Sequence, residues 1–435
     1  MKKVIVSLCI ISLSIFLKLP VYYGIGGALI FLYAAGIFSG FSASALNKSI
    51  IGGPLSAKNV LLVLSSIGVL TSMWMLCGTI PYLMFMGLKI LKNYNFIFFS
   101  FLIMSFISLS LGTGIGSIST MGVVLLGVGK SMGISLPVLS GAIVSGAYLG
   151  DRSSPLSSAF NLVTEITSTN AQDNIRRMNS SLLPAFLISA AIYYFLGSSY
   201  PSLDYSGIDG TLVSIQNSFH IGLFCTLPLI ILFSCIMLRL PTFKSISASI
   251  LSAALISVLF QNASAAEILS AAVFGFKNDS LDIPISGGGF LSMKGVLITI
   301  ILATSFAGIL SGLDLISSMI KNLSKSINSK YSLIVHSGLI SFILNTITCN
   351  QTIGIIIPGK FMNSHYEKFD LKKEYLVQSI SDVGTMTVAM VPWNVNAIVV
   401  CAVLGVDYSD FAPYAFLCYV LPIVFFTMYK IKAPD

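Results

Sequence analysis

The chain has 435 residues, 55% of them hydrophobic and only 9% charged. A soluble domain carries about 25% charged residues, so this composition excludes a protein clothed in water-facing polar surface. The formal net charge of +8 fits Lys and Arg gathered in the loops of a membrane protein and gives no reason to expect a nucleic-acid partner.

In chain order, Lys2 and Lys3 lead into VIVSLCIISLSIFL, which has the outline of a secretory signal. No small-x-small cleavage site follows and a second apolar run comes almost at once, so a retained first helix is expected. Long apolar runs cover 3–18, 22–46, 59–88, 94–111, 181–197, 217–240, 295–320, 331–347 and 410–429. Shorter ones at 113–129, 135–150, 244–260, 351–358 and 383–405 are interrupted by polar residues. A helix needs about 20 apolar residues to cross the hydrocarbon core, and roughly ten or more spans are expected on that rule. The expected class is an all-α, multi-pass protein of the cell's inner (plasma) membrane, with the lipid bilayer as its surroundings. Its seven cysteines are scattered and never form a C-x-x-C pair, so packing roles are expected of them.

The sequence also matches itself. GGPLSAKNVL from Gly52 returns as GGFLSMKGVL from Gly288, identical at seven of ten positions. Thr120-Met-Gly-Val-Val returns as Thr352-Ile-Gly-Ile-Ile, and Asp151 finds a counterpart in Asp382 of SISDVGTMTVAMVPWN. The offsets of 236, 232 and 231 residues keep order and spacing, which argues for two homologous halves. Expected boundaries are 1–200 for the first repeat, 201–216 for a polar linker and 217–435 for the second. In secondary transporters such halves, often inverted, enclose a midplane site built from broken helices.

Polar interruptions fall at LGTGIGSISTMG (111–122) and GAYLGDRSSPLSSAFN (146–161) in the first half. In the second they are NTITCNQTIG (345–354) and SDVGTMTVAMVPWN (381–394). Irregular backbone at membrane depth persists only where protein or a water-filled cavity covers it. Broken helices are therefore expected near 146–161 and 381–394. An ionisable group in a span costs about 2.5–3.5 kcal/mol on insertion scales, which makes Asp151 and Asp382 the leading candidates for a Na+ site. The plainer alternative is that Asp151 pairs with Arg152 in an interhelical loop. Around them, Thr113, Thr120, Ser154, Ser157, Asn161, Thr348, Asn350, Gln351, Thr385 and Asn394 are candidate cation- or substrate-binding residues. Asn161, Asn350, Gln351 and Asn394 serve equally well as hydrogen-bonding links between helices. Glu165, Glu267 and Asp314 are weaker candidates, because their segments do not match between halves. Trp74 and Trp393 read as packing or interface anchors, and His220, His336 and His365 lack ligand spacing.

Other classes fail on the same residues. VVLLGVGKS (123–131) has Val124 where a phosphate loop needs its first glycine. Tyr148 stands where the G-x-G-D motif of an intramembrane aspartyl protease needs glycine, and H-E-x-x-H is absent. Neither an enzyme nor a cofactor is expected. A channel shares the composition, but paired broken helices with carboxylates fit a coupled carrier better.

At these residues the sequence resembles the NhaC family of sodium/proton antiporters, in the wider ion-transporter superfamily. The likeness covers most of the chain. It is carried by GTIP (78–81) after Trp74, the glycine-rich 111–134, SGAYLGDRSSPLS (145–157), IIIPGKFM (355–362) and DVGTMTVAMVPWN (382–394). The resemblance implies transported Na+ and H+ and two inverted repeats, each with a re-entrant hairpin and a broken helix. It also implies alternating access to a central site containing Asp151, and a homodimer in which a transport domain slides against a scaffold. Some relatives move small organic acids such as malate and lactate, or amino acids, which is the alternative substrate class. Two departures remove carboxylates able to bind protons: Ser158 and Ser381 stand where the family usually has acidic residues. Phe160, in place of a small hydroxyl residue, suits an organic substrate.

Overall fold

A computed structural model describes residues 2–17, 19–91, 95–199, 206–238, 240–278, 285–313, 315, 320 and 326–431. A chain embedded in lipid has no water to satisfy its backbone, so it closes its hydrogen bonds inside helices. The first are α1 (Lys2–Phe16), α2 (Val21–Ile37), α3 (Ala43–Ser56), α4 (Lys58–Leu76), α5 (Thr79–Leu91) and α6 (Phe96–Leu111). Next, α7 joins Gly114–Ser117 to Val123–Ser131 through a π turn at Ile118–Gly122. It is followed by α8 (Leu136–Ser153), α9 (Ser158–Thr167), α10 (Ala171–Ser199), α11 (Ser206–Ser218), α12 (Leu227–Met237), α13 (Thr242–Gln261) and α14 (Ala265–Phe274). A small ribbon, β1 (Phe276–Asn278) antiparallel to β2 (Ile285–Gly287), interrupts the helices. Then come α15 (Lys294–Gly312), α16 (Lys330–Thr348) and α17 (Gln351–Lys368). Helix α18 (Glu374–Ser379) continues through a π turn (Ile380–Thr385) and a 3-10 turn (Val388–Met390). The chain closes with α19 (Val395–Leu404), α20 (Tyr408–Phe411) and α21 (Phe416–Ile431).

Five described helices are long and apolar enough to cross a membrane, and up to eight spans result if each of three bent pairs counts as one. Four shorter apolar helices, Val21–Ile37, Phe96–Leu111, Gly114–Lys130 and Ala265–Phe274, stand beside them. Gly40 (φ +86°) and Gly78 (φ +81°) turn the chain inside the runs 22–46 and 59–88, dividing each between two helices. The run 217–240 bends by 90° between Leu212–Ser218 and Leu223–Met237. Conversely 244–260, read as interrupted, lies within the continuous α13. Its serines do not break the helix because Ser247 and Ser257 donate to carbonyls four residues earlier, at 2.8 and 2.9 Å. Of the stretch expected as linker, residues 201–205 lie outside the described residues, and from Ser206 onward it is helical. Phe16, Ile30, Phe38, Phe106, Leu223 and Leu251 are exposed on the outer surface, an apolar cover suited to lipid.

The duplicated GG-x-L-S-x-K segment has a packing role. Each copy leads into a helix of 19 residues, α4 or α15. A Cβ on Gly53 would lie 2.0 Å from the Thr304 carbonyl oxygen of α15. In the other copy, the Gly289 amide donates to the Gly68 carbonyl of α4 at 2.6 Å. A shift of 236 residues turns Gly53 into Gly289 and Gly68 into Thr304. Each contact is the other with its partners exchanged. The apolar cores cross between halves as well. One gathers α4, α6, α7 and α8 with residues 386–421, and the other joins α1, α2 and α9 to α15–α18.

Gly53→Ala must push α3 and α15 apart, since its new methyl meets backbone. A thermal-melting measurement is expected to show a loss of about 1–3 kcal/mol, the usual cost of overpacking. Gly52→Ala is the control: nothing lies within 4 Å of its added Cβ, so stability should hold or rise slightly.

Candidate functional site

The same two backbone breaks occur twice along the chain. Helix α6 ends at Gly112 (φ +69°) and α16 at Cys349 (φ +56°), and the following Thr113 and Asn350 cap α7 and α17. Further on, the chain breaks after α8 and after α18, and Ser157 and Asn394 cap α9 and α19. Both pairs of caps are 237 residues apart. A helix start leaves amides without intrahelical partners, and a short polar side chain is their usual acceptor. Thr113 Oγ1 accepts from the Gly116 amide (3.3 Å), Ser157 Oγ from Ala159 (3.1 Å), Asn350 Oδ1 from Thr352 (2.8 Å) and Asn394 Oδ1 from Asn396 (3.0 Å). Four of the residues expected to bind cation or substrate are thus helix caps.

In each half the hairpin tip packs on the break. A Cβ on Gly112 would lie 2.5 Å from the Leu156 carbonyl carbon, and Ser154 Oγ donates to the Leu109 carbonyl at 2.7 Å. In the second half, the Val395 amide donates to the Cys349 carbonyl (3.2 Å), Asn394 Nδ2 to Asn345 O (3.0 Å) and Trp393 Nε1 to Thr346 O (2.7 Å).

Asp151 sits where these parts meet. It is buried in the last turn of α8. Gln351 Nε2, at the start of α17, donates to Oδ2 at 2.8 Å, and the Gly114 amide, at the start of α7, also faces the carboxylate. Ser157 Oγ donates to the Asp151 carbonyl at 2.5 Å. One turn earlier, Tyr148 donates to Asn396 Oδ1 of α19 at 3.2 Å. Among the described residues no Lys, Arg or His pairs with Asp151.

Asp382 is placed differently. Arg152 pairs with it and not with Asp151, which corrects the loop pairing weighed from sequence. Both side chains are fully buried. Arg152 Nε donates to Asp382 Oδ1 at 2.7 Å and Nη2 reaches the same oxygen. Ser181 Oγ and Gln378 Nε2 donate to Oδ2, and Gln378 is held in turn by Tyr429 at 2.7 Å. Asp151 lies six residues before its cap Ser157, whereas Asp382 lies twelve before Asn394. The two carboxylates therefore occupy different levels, and their match in sequence is not a match in the fold.

The remaining candidates divide. Thr120 Oγ1 turns back to the Gly116 carbonyl (2.9 Å) and Thr348 Oγ1 to that of Leu344 (2.7 Å), so both hydroxyls serve their own helices. Thr385 is buried in the π turn that carries Asp382. Asn161 is exposed and donates to the Pro155 carbonyl at 3.0 Å, which ties the break and leaves it outside the buried cluster. Glu165 and Ser158 are exposed, Ser381 is buried beside Asp382, and Glu267 completes a capping box with Ser264. Asp314 lies outside the described residues. Trp74 is buried and donates to Ser249 at 3.0 Å. Sequence reasoning missed Ser181, Gln378, Tyr429, Asn345 and Asn396. Gln378 was findable, because it precedes Asp382 by four residues on one helical face.

Broken helices that enclose a buried carboxylate within an apolar, multi-pass chain define a secondary transporter of the cation-antiporter type. The sequence profile of the Na+/H+ antiporter family matches residues 146–430, and the chain belongs to that family. It is 28% identical over 417 residues to the Malate-2H(+)/Na(+)-lactate antiporter of Bacillus subtilis, covering 94% of this chain and 89% of that one. It is also 28% identical to the Na(+)/H(+) antiporter NhaC of the same organism over 433 residues, covering 97% and 94%. The arginine/ornithine antiporter ArcD of Halobacterium salinarum is 27% identical over 439 residues, covering 98% and 90%.

Removing one partner of a buried ion pair costs about 3–5 kcal/mol. Asp382→Asn should therefore lower the melting midpoint and the yield of folded protein, and Arg152→Gln with Asp382→Asn should recover much of both. Asp151→Asn, at a site without a cationic partner, should keep the native midpoint.

Proposed function

We propose that this protein exchanges Na+ for H+ at Asp151, in the manner of the NhaC type. One observation carries the reading: Asp151 is a buried carboxylate that accepts from the neutral Gln351 and, among the described residues, pairs with no charged side chain, at the junction of two hairpin tips and two helix breaks. A bare carboxylate in such surroundings is costly. It is relieved by binding either a proton or a metal cation, and a site that must hold one or the other exchanges them. Asp382 is excluded from this role, because Arg152 already balances its charge.

Alternating access follows from halves inverted about an axis in the membrane plane, a reading supported by the reciprocal Gly53–Thr304 and Gly289–Gly68 contacts. The setting is the plasma membrane and the unit a homodimer, as the family resemblance implies. Ser158, exposed at the start of α9, adds no group to the buried site.

A second reading keeps the same site and adds a small organic carboxylate or an amino acid as exchanged substrate. Four capped helix N-termini favour it, since each carries partial positive charge suited to an anionic group. The names of two relatives, a malate/lactate and an arginine/ornithine antiporter, point the same way.

Purified protein in liposomes separates the readings. Sodium addition should drive proton flux in the native protein and none in Asp151→Asn, with Asn161→Ala unaffected. If sodium drives no proton flux and malate, lactate or an amino acid does exchange, the second reading stands. Full sodium-driven flux in Asp151→Asn would contradict both.

A further inference from the structure

Every described hydrogen-bond acceptor around the Arg152 guanidinium is an oxygen. Nε and Nη2 reach Asp382 Oδ1, and Nη1 donates to Ser153 Oγ at 2.7 Å. Nη2 also donates to the Met178 carbonyl at 2.9 Å and to Ser181 Oγ at 3.3 Å. A carboxylate, two hydroxyls and a backbone carbonyl are the donor set that a hard monovalent cation takes from a membrane carrier. The set is drawn from α8, α10 and the π turn after α18, so it is assembled from both halves of the chain. All of its side chains are buried.

Resting on the reading of Asp151 as the exchanging carboxylate, we propose that Arg152 is a tethered cation. Its guanidinium fills a second Na+-type site built around Asp382, and so holds the carrier at one exchangeable cation per protomer. Arg152 is also the residue next to Asp151 on α8, so the filled site moves with the exchanging one. The guanidinium has the charge of a sodium ion but cannot leave. An ordinary structural ion pair differs in one respect. It needs charge balance alone, and the space left by a deleted guanidinium need not suit a free cation.

Arg152→Ala opens the site. Binding of radioactive sodium to the purified full chain should rise from one ion per protomer in the native protein to two in R152A. It should return to one in R152A with Asp382→Asn, and also in R152A with Asp151→Asn. The melting midpoint of R152A should rise with sodium chloride, or with guanidinium chloride at millimolar concentration, and not with choline chloride. In liposomes, the sodium-to-proton ratio read from the reversal potential should change in R152A alone. Sodium binding in R152A no greater than in native protein would overturn the proposal. So would an R152A that neither sodium nor guanidinium restores to a folded state, while the charge-neutral Arg152→Gln with Asp382→Asn folds. Failure of the Asp151 reading shows separately, as undiminished sodium binding in Asp151→Asn alone, and leaves the comparison of native protein with R152A intact.

Discussion

A charge inside an apolar chain has to be balanced, and this protein balances its two central carboxylates in opposite ways. Asp382 receives a permanent counter-charge, Arg152, and donors on both oxygens. Asp151 accepts from the neutral Gln351 and, among the described residues, pairs with no charged side chain. The difference sets their uses. A carboxylate with a fixed partner joins α8 to the π turn after α18, whereas on the proposed reading one without a fixed partner takes its counter-charge from solution. The two acids stand on neighbouring stretches of the same assembly, so the fixed pair also holds the framework around Asp151.

Placing Asp151 requires broken helices, and broken helices bring orphaned amides and carbonyls to membrane depth. The chain answers with short polar caps and with mutual support. Thr113, Ser157, Asn350 and Asn394 accept the free amides of their own helices. Carbonyls at Leu109, Asn345, Thr346 and Cys349 are met by donors from the neighbouring break. No break is covered by its own segment alone. The interlocked apolar cores have the same origin: α9 crosses to pack on α17, and α19 reaches α7. Close approach at Gly53 and Gly289 then brings α3 and α4 against α15 and the turn that leads into it.

Much of this was legible in the sequence, for local reasons. Thr113, Ser157, Asn350 and Asn394 stood out by type and position as candidate binding residues, although a Ser, Thr or Asn that opens a polar interruption is equally a cap signal, and as caps the structure uses them. The GG-x-L-S-x-K repeat marked two segments that pack in a reciprocal way, and Asp151 stood out as an acid in an apolar run. Hydropathy placed the helix ends poorly in the runs 22–46 and 59–88, because it measures composition and does not register a turn at Gly40 or Gly78. The sequence match of Asp151 with Asp382 misled because identity of residue type survives a shift of several positions along a helix. The partner of Asp382 was out of reach: Arg152 lies 230 residues away, and no local pattern tells an arginine which of two acids it will face.

The central claim is that a single carboxylate, Asp151, holds sodium and protons in competition. Adding sodium to the purified, unbuffered protein and recording proton release tests it most directly. The account predicts release that saturates with the sodium bound in the native protein and vanishes in Asp151→Asn. Equal release from the two proteins would contradict it.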